Sequence, residues 1–109
     1  HCPDGATPKD GPSAGSAITI VLYSLLTQKK IKKDVAITGE INLLGEITEI
    51  GGLDIKILGA FAAGIKTVIY PKNNQRDFDL FISKNKHILQ HMHFVPVSDI
   101  NHALSIIIE

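Results

Sequence analysis

The sequence predicts an α/β fold, a small mixed β-sheet packed with about three main helices, and three observations carry that prediction. A short apolar run, Ile65 to Tyr70, stops at Pro71 and has the character of a buried strand. Apolar residues at helical spacing stand on both sides of it. Strand and helix patterns alternate along the chain, as they do where helices cover a sheet. With 109 residues and 11 basic side chains balanced by 11 acidic ones, the chain has room for one domain, 1–109, with an adequate but small core.

Taken in order, the elements follow from spacing and punctuation. Ala14, Ala17, Ile18, Val21, Leu22, Leu25 and Leu26 form one helical stripe. Gly11-Pro12 marks its start, because Pro fits the first helical turn, where a missing N–H costs nothing, and Asp10 is placed to cap it. Asp34 to Thr38 reads as a strand with Val35 and Ile37 on one face. Ile41 to Leu44 and Glu46 to Ile50 read as short strands around Gly45, a hairpin pattern. Gly51-Gly52 ends the second of these and opens a helix to about Ala63, with Gly64 in the left-handed position beyond its end. Ile65 to Tyr70 is the next strand, and strand, helix, strand in this order implies a right-handed crossover. Asn73 to about Ser83 gives a shorter helix with Phe78, Leu80, Phe81 and Ile82 as candidates for burial. His91 to Val97 reads as a strand with Met92, Phe94 and Val97 inward. Ser98 is expected to cap a last helix that buries Ile100, Leu104, Ile107 and Ile108.

Composition and spacing argue against several functions. The basic cluster Lys29, Lys30, Lys32 and Lys33 is broken by Ile31 and followed by Asp34, so it reads as a solvated connection; a nucleic-acid surface needs more charge on one face. No apolar run is long enough to cross a membrane. The lone Cys2 excludes an internal disulfide framework and fits a reducing compartment. Gly5 to Ser13 is no phosphate loop, since Lys9 and Ser13 are too far apart and Pro12 intervenes. His87, His91 and His93 permit a metal by spacing alone, but no Cys or acidic set accompanies them, and they read as surface histidines.

Two residues suggest chemistry. Ser13 stands at a helix start, where free backbone N–H groups and the positive end of the helix dipole favour negative charge on a neighbouring oxygen. Lys56, on the helix opened by Gly51-Gly52, has Gly52, Leu53, Gly59 and Ala60 three and four positions away, so no carboxylate pairs with it along the helix. A lysine on such a small, apolar face can be stripped of water, as a general base near neutral pH requires. Each residue also has an ordinary explanation, Ser13 as a helix cap and Lys56 as a solvated lysine with its stem along the helix. Thr38, ending its strand before Gly39-Glu40, is placed to orient a lysine amine but fits an ordinary strand as well. Glu40, Asp10 and Asp54 stay open between cap, surface carboxylate and active-site neighbour.

Several longer motifs stand together in one register. Pro3 to Gly15, Asp34 to Ile41, Ile50-Gly51-Gly52-Leu53 with Lys56, and Gly64 to Pro71 closely resemble the proteolytic domain of Lon proteases, over essentially the whole chain. The resemblance implies a serine endopeptidase with a Ser-Lys dyad, Ser13 matching the nucleophile and Lys56 the base. Thr38 matches a threonine near the lysine amine, Asp10 an acidic residue beside the nucleophile, and His1 a histidine of the strand leading into that segment. Gly11, Pro12 and Ala14 flank Ser13, and backbone N–H groups from Gly11 to Ala14 are expected to stabilise the oxyanion.

The resemblance also implies that no cofactor binds this chain, ATP and Mg belonging to a separate ATPase module. It implies unfolded or damaged proteins as substrates, a hexameric ring, and a cytoplasmic or mitochondrial-matrix setting. Asp54-Ile55 depart from the family's common Lys-Glu. The family's domain has further strands before the position of His1, so the sequence is expected to be the C-terminal part of that domain. A second expectation follows from that incompleteness and from an Ile-rich, low-charge surface, namely an inactive oligomerisation or scaffold piece.

Overall fold

The computed structural model describes residues 24 and 26–109. The helix expected from Ala14 lies outside them except at its end, where residues 24, 26 and 27 are helical. Leu26 is exposed there and is no part of a buried stripe, for it stands in the last turn before the lysine connection. Five strands and three helices are complete among the described residues: β1 Val35–Ile37, β2 Glu40–Ile41, β3 Ile47–Thr48, α1 Leu53–Ala62, β4 Thr67–Pro71, α2 Gln75–Lys84, β5 His93–Val97 and α3 Ile100–Ile107. This is the α/β class the sequence predicts, with parallel and antiparallel pairs. Among these residues no helix is long and apolar enough to cross a membrane.

β4 is the centre of a parallel sheet in the order β1-β4-β5, registered Val35↔Thr67 to Ile37↔Ile69 on one side and Thr67↔His93 to Pro71↔Val97 on the other. Successive side chains of a strand point to opposite faces. Val68 and Tyr70 therefore join one core with Leu53, Ile57, Phe81, Ile88 and Met92, beneath α1 and α2. Ile69 joins the other with Ile47, Val97, Ala103 and Ile107, beneath α3. With both faces covered, β4 reads as a continuous apolar run.

Several elements differ from their sequence expectation. The hairpin is shorter, pairing Glu40↔Thr48 and Ile41↔Ile47 only. Asn42 ends it: its Oδ1 accepts from the N–H groups of Leu44 (2.9 Å) and Glu46 (3.0 Å), which gives the backbone a turn in place of a ladder. Leu43 and Leu44 consequently stand in solvent. α2 begins at Gln75, after a 3-10 turn Lys72–Asn74, and buries Phe81 with Phe78 and Ile82 beside it. Leu80 is exposed, since it lies off the face that Phe78, Phe81 and Ile82 share at spacings of three and four.

β5 starts at His93 because a 3-10 turn, Lys86–Gln90, occupies the chain before it. Met92 and Phe94 face the α1–α2 core, while Val97, an odd number of residues further on, faces the other. Asp99, and not Ser98, caps α3: its Oδ1 accepts the N–H of His102 at 2.9 Å. Ala103 and Ile107 are the buried residues of α3, with Ile100, Leu104 and Ile108 half-buried.

The glycine expectations at α1 hold. Gly52 takes the left-handed conformation (φ 72°) at the helix start. At the other end Ile65 N–H donates to Ala60 O (3.0 Å) and Gly64 N–H to Phe61 O (3.1 Å), with Gly64 at φ 81°. These are the paired bonds that close a helix through a left-handed residue.

Candidate active site

The parallel pairing of β1 with β4 dictates where α1 begins. A chain leaving the carboxyl end of β1 must return to the amino end of β4, so α1 runs back across the sheet and starts at the carboxyl edge. Hydrogen bonds fix both ends of that path. Lys66 and Thr67 N–H groups donate to Asp34 O at the amino end of β1 (2.9 and 3.0 Å), and Ile50, just before α1, is bonded to Asn74, just after the carboxyl end of β4. Thr38 and the first turn of α1 thus share the edge at which open parallel sheets place their ligands.

Thr38 continues the parallel pairing one step past β1, its N–H donating to Ile69 O at 3.0 Å. Its side chain is 7% exposed, and among the described residues Oγ1 finds no hydrogen-bond partner. A buried hydroxyl left unsatisfied costs about 1–3 kcal/mol, so packing alone does not explain it. The β-branched side chain suits the strand; its oxygen suits a partner still to come.

Lys56 lies in the first turn of α1, half-buried, its N–H donating to Gly52 O at 3.1 Å. At about 100° per residue it falls on one flank of the buried Leu53–Ile57 line, whereas Asp54 and Leu58 fall on the other. That second flank borders an open groove of about 500 Å³ between α1 and α2, with Asp77 and Leu80 on its far wall. The groove and the lysine therefore face different ways, and Asp54 belongs to the groove. Glu40 is exposed on β2 across from Thr48.

Of the residues expected to form the site, the structure brings Thr38 and Lys56 to one edge. Ser13, Asp10, Gly11, Pro12 and Ala14, with His1, lie outside the described residues. His87 and His91 flank the ring of Phe61 (centroids 6.4 and 5.9 Å), and His93 is exposed at the start of β5. Among the described residues no group of three or more His, Cys, Asp or Glu side chains converges to hold a metal ion. Sequence reasoning passed over Asn74, which is wholly buried with three side-chain hydrogen bonds. The sequence pattern places it in the helix expected from Asn73, and nothing local points to a partner 24 positions earlier.

Comparison with known proteins identifies this architecture as that of a protease's proteolytic domain. The family model for the Lon protease (S16) C-terminal proteolytic domain matches residues 1–109. The chain belongs to that family, as its motifs led us to expect. It is 48% identical over its whole length to a Lon protease of Vibrio parahaemolyticus, of which it covers 14%. It is 48% identical over 91% of its length to a Lon protease of Fusobacterium nucleatum, covering 13% of that protein. A Lon protease of Endomicrobium trichonymphae is 39% identical across the whole chain, which covers 13% of it. The chain thus spans about one-seventh of the length of these relatives.

Proposed function

We propose that the chain supplies the catalytic residues of a serine endopeptidase of the ATP-dependent Lon type, with Ser13 as nucleophile and Lys56 as general base. The observation that carries this reading is the shared carboxyl edge of the sheet, where Lys56 lies in the first turn of α1 and the buried Thr38 hydroxyl lacks a partner among the described residues. In this reading the neutral Lys56 amine takes the proton of Ser13 as Oγ attacks the peptide carbonyl carbon. Backbone N–H groups around the nucleophile, among Gly11, Ser13 and Ala14, stabilise the resulting oxyanion. The C–N bond then breaks, the leaving amine receives the proton from Lys56, and water, activated by Lys56 in turn, hydrolyses the acyl ester.

Thr38 holds the lysine amine through its hydroxyl oxygen, and Asp10 supports the segment beside the nucleophile. Substrate adds in extended form along an open strand edge, where main-chain bonds give affinity without demanding one sequence. That suits unfolded or damaged proteins as substrates. ATP and Mg act in a separate ATPase module, the working assembly is a hexameric ring, and the setting is cytoplasmic or the mitochondrial matrix.

Incubation with a serine-reactive phosphonate followed by intact-mass measurement tests the nucleophile. We expect one adduct per chain, mapped to Ser13 and abolished in Ser13→Ala. Labelling that survives Ser13→Ala would falsify the assignment, and no labelling of the complete protein would leave the scaffold reading in its place.

A further inference from the structure

We propose that Asn74 is a positioning residue for Lys56, acting through the backbone of Ile50; the proposal rests on the reading of Lys56 as the base. Asn74 is fully buried at the end of the 3-10 turn after β4. Its Nδ2 donates to Ile50 O and its Oδ1 accepts from Ile50 N–H, both at 2.9 Å. One side chain thus makes to one residue the pair of bonds that a neighbouring strand would make.

The place of that clamp is what gives it a function. Ile50 is followed by Gly51-Gly52, and α1 begins at once from Gly52 with no side-chain cap. Two successive glycines are the least restrained backbone a chain can have, and nothing lies within 4 Å of where their side chains would be. Leu53 and Ile57 seat the buried face of α1 in the core, and the clamp on Ile50 fixes the segment that leads into its first turn. Lys56 is in that turn.

Asn74 also gives up its ordinary role to do this. It occupies the N-cap of α2, where Asn normally accepts a backbone N–H of the first turn, yet its side chain makes no capping bond. Asp77, on the first turn of α2, accepts instead from Asn74 Nδ2 through Oδ2 at 2.8 Å. A carboxylate there fixes which end of the amide carries the N–H groups, since a reversed amide would set oxygen against oxygen. The order of action runs from Asp77 to Asn74 to Ile50, and through the glycines to Lys56.

The test uses Asn74→Ser, Asp77→Ala and Asp77→Asn in the complete protein. Each is measured for kcat and KM on a fluorogenic peptide, per phosphonate-titratable site, and for amide exchange over residues 50–57. Misplacing a base by about 1 Å costs up to roughly a hundredfold in rate. We expect kcat per site to fall about tenfold or more in Asn74→Ser and Asp77→Ala with KM unchanged, and exchange to rise at Ile50 and in the first turn of α1. Asp77→Asn, which keeps an acceptor, should restore both. Should Asn74→Ser not fold, the exposed Asp77 pair decides. Normal kcat per site overturns the proposal, even with faster exchange, because Asn74 is then merely structural. Unchanged exchange strikes the clamp itself. Retained cleavage in Ser13→Ala strikes instead the dyad reading on which the proposal rests.

Discussion

Tyr70 shows how one side chain ties the sheet to the helices over it. Its ring stacks on Phe78 at 4.7 Å, and its hydroxyl donates to Gln75 Oε1 at 2.8 Å. Gln75 Nε2 in turn donates to Asp79 Oδ1 at 3.0 Å. Burial raises the Tyr70 pKa above the ordinary 10.0, and the charge of Asp79 adds to it. The folded protein therefore holds the phenol proton after the unfolded chain has lost it. Below pH 10 both states are protonated and Tyr70 contributes no slope; above it the unfolded state binds fewer protons, and stability falls as pH rises toward the folded pKa. Urea unfolding from pH 8 to 11 should show that decline, and Tyr70→Phe should flatten it. An equal decline in both proteins would place its cause elsewhere.

Residue by residue, legibility in the sequence followed how local each role was. Lys56 could be placed because its neighbours at three and four positions are read directly from the chain. The burial of Thr38 could not, since it depends on β4 pairing beside it. Asn74 and Asp99 were missed for related reasons: the first serves a distant backbone, and the second competed with an adjacent serine that is equally good at capping.

At the scale of elements, punctuation proved the more reliable guide. Gly52 and Gly64 bound α1 as expected because both adopt positive φ, which side chains other than glycine resist. The hairpin is present as expected but shorter, because apolar Leu43 and Leu44 mimic a strand while one asparagine side chain makes the turn. Leu80 was misjudged because four apolar residues within five positions cannot all share one helical face. The cap of α3 gives a direct check on these distinctions. Asp99→Ala should destabilise by about 1 kcal/mol through loss of the His102 N–H bond. Ser98→Ala should stay within about 0.5 kcal/mol. Denaturant midpoints at constant slope measure both, and the reverse ranking would return the cap to Ser98.

For the molecule as a whole, α1 and α2 cover one face of the parallel sheet and α3 the other, and the crossover brings the start of α1 to the edge where Thr38 follows β1. The α/β class was readable from the alternation of strand and helix patterns, and the family from motifs that keep one register along the chain. Which face each strand residue served was not, because β4 is apolar on both faces and hides the alternation that would assign them. The proposed site rests on this arrangement: Thr38 follows β1, Lys56 lies in the first turn of α1, and Asn74 ties the segment before α1 to the end of β4. Peptide hydrolysis by Lys56→Arg in the complete protein tests the central claim most directly. A guanidinium stays protonated and cannot serve as the base. The variant should fold normally and show no measurable turnover, whereas cleavage at the unmodified rate would mean that another group does the work assigned to Lys56.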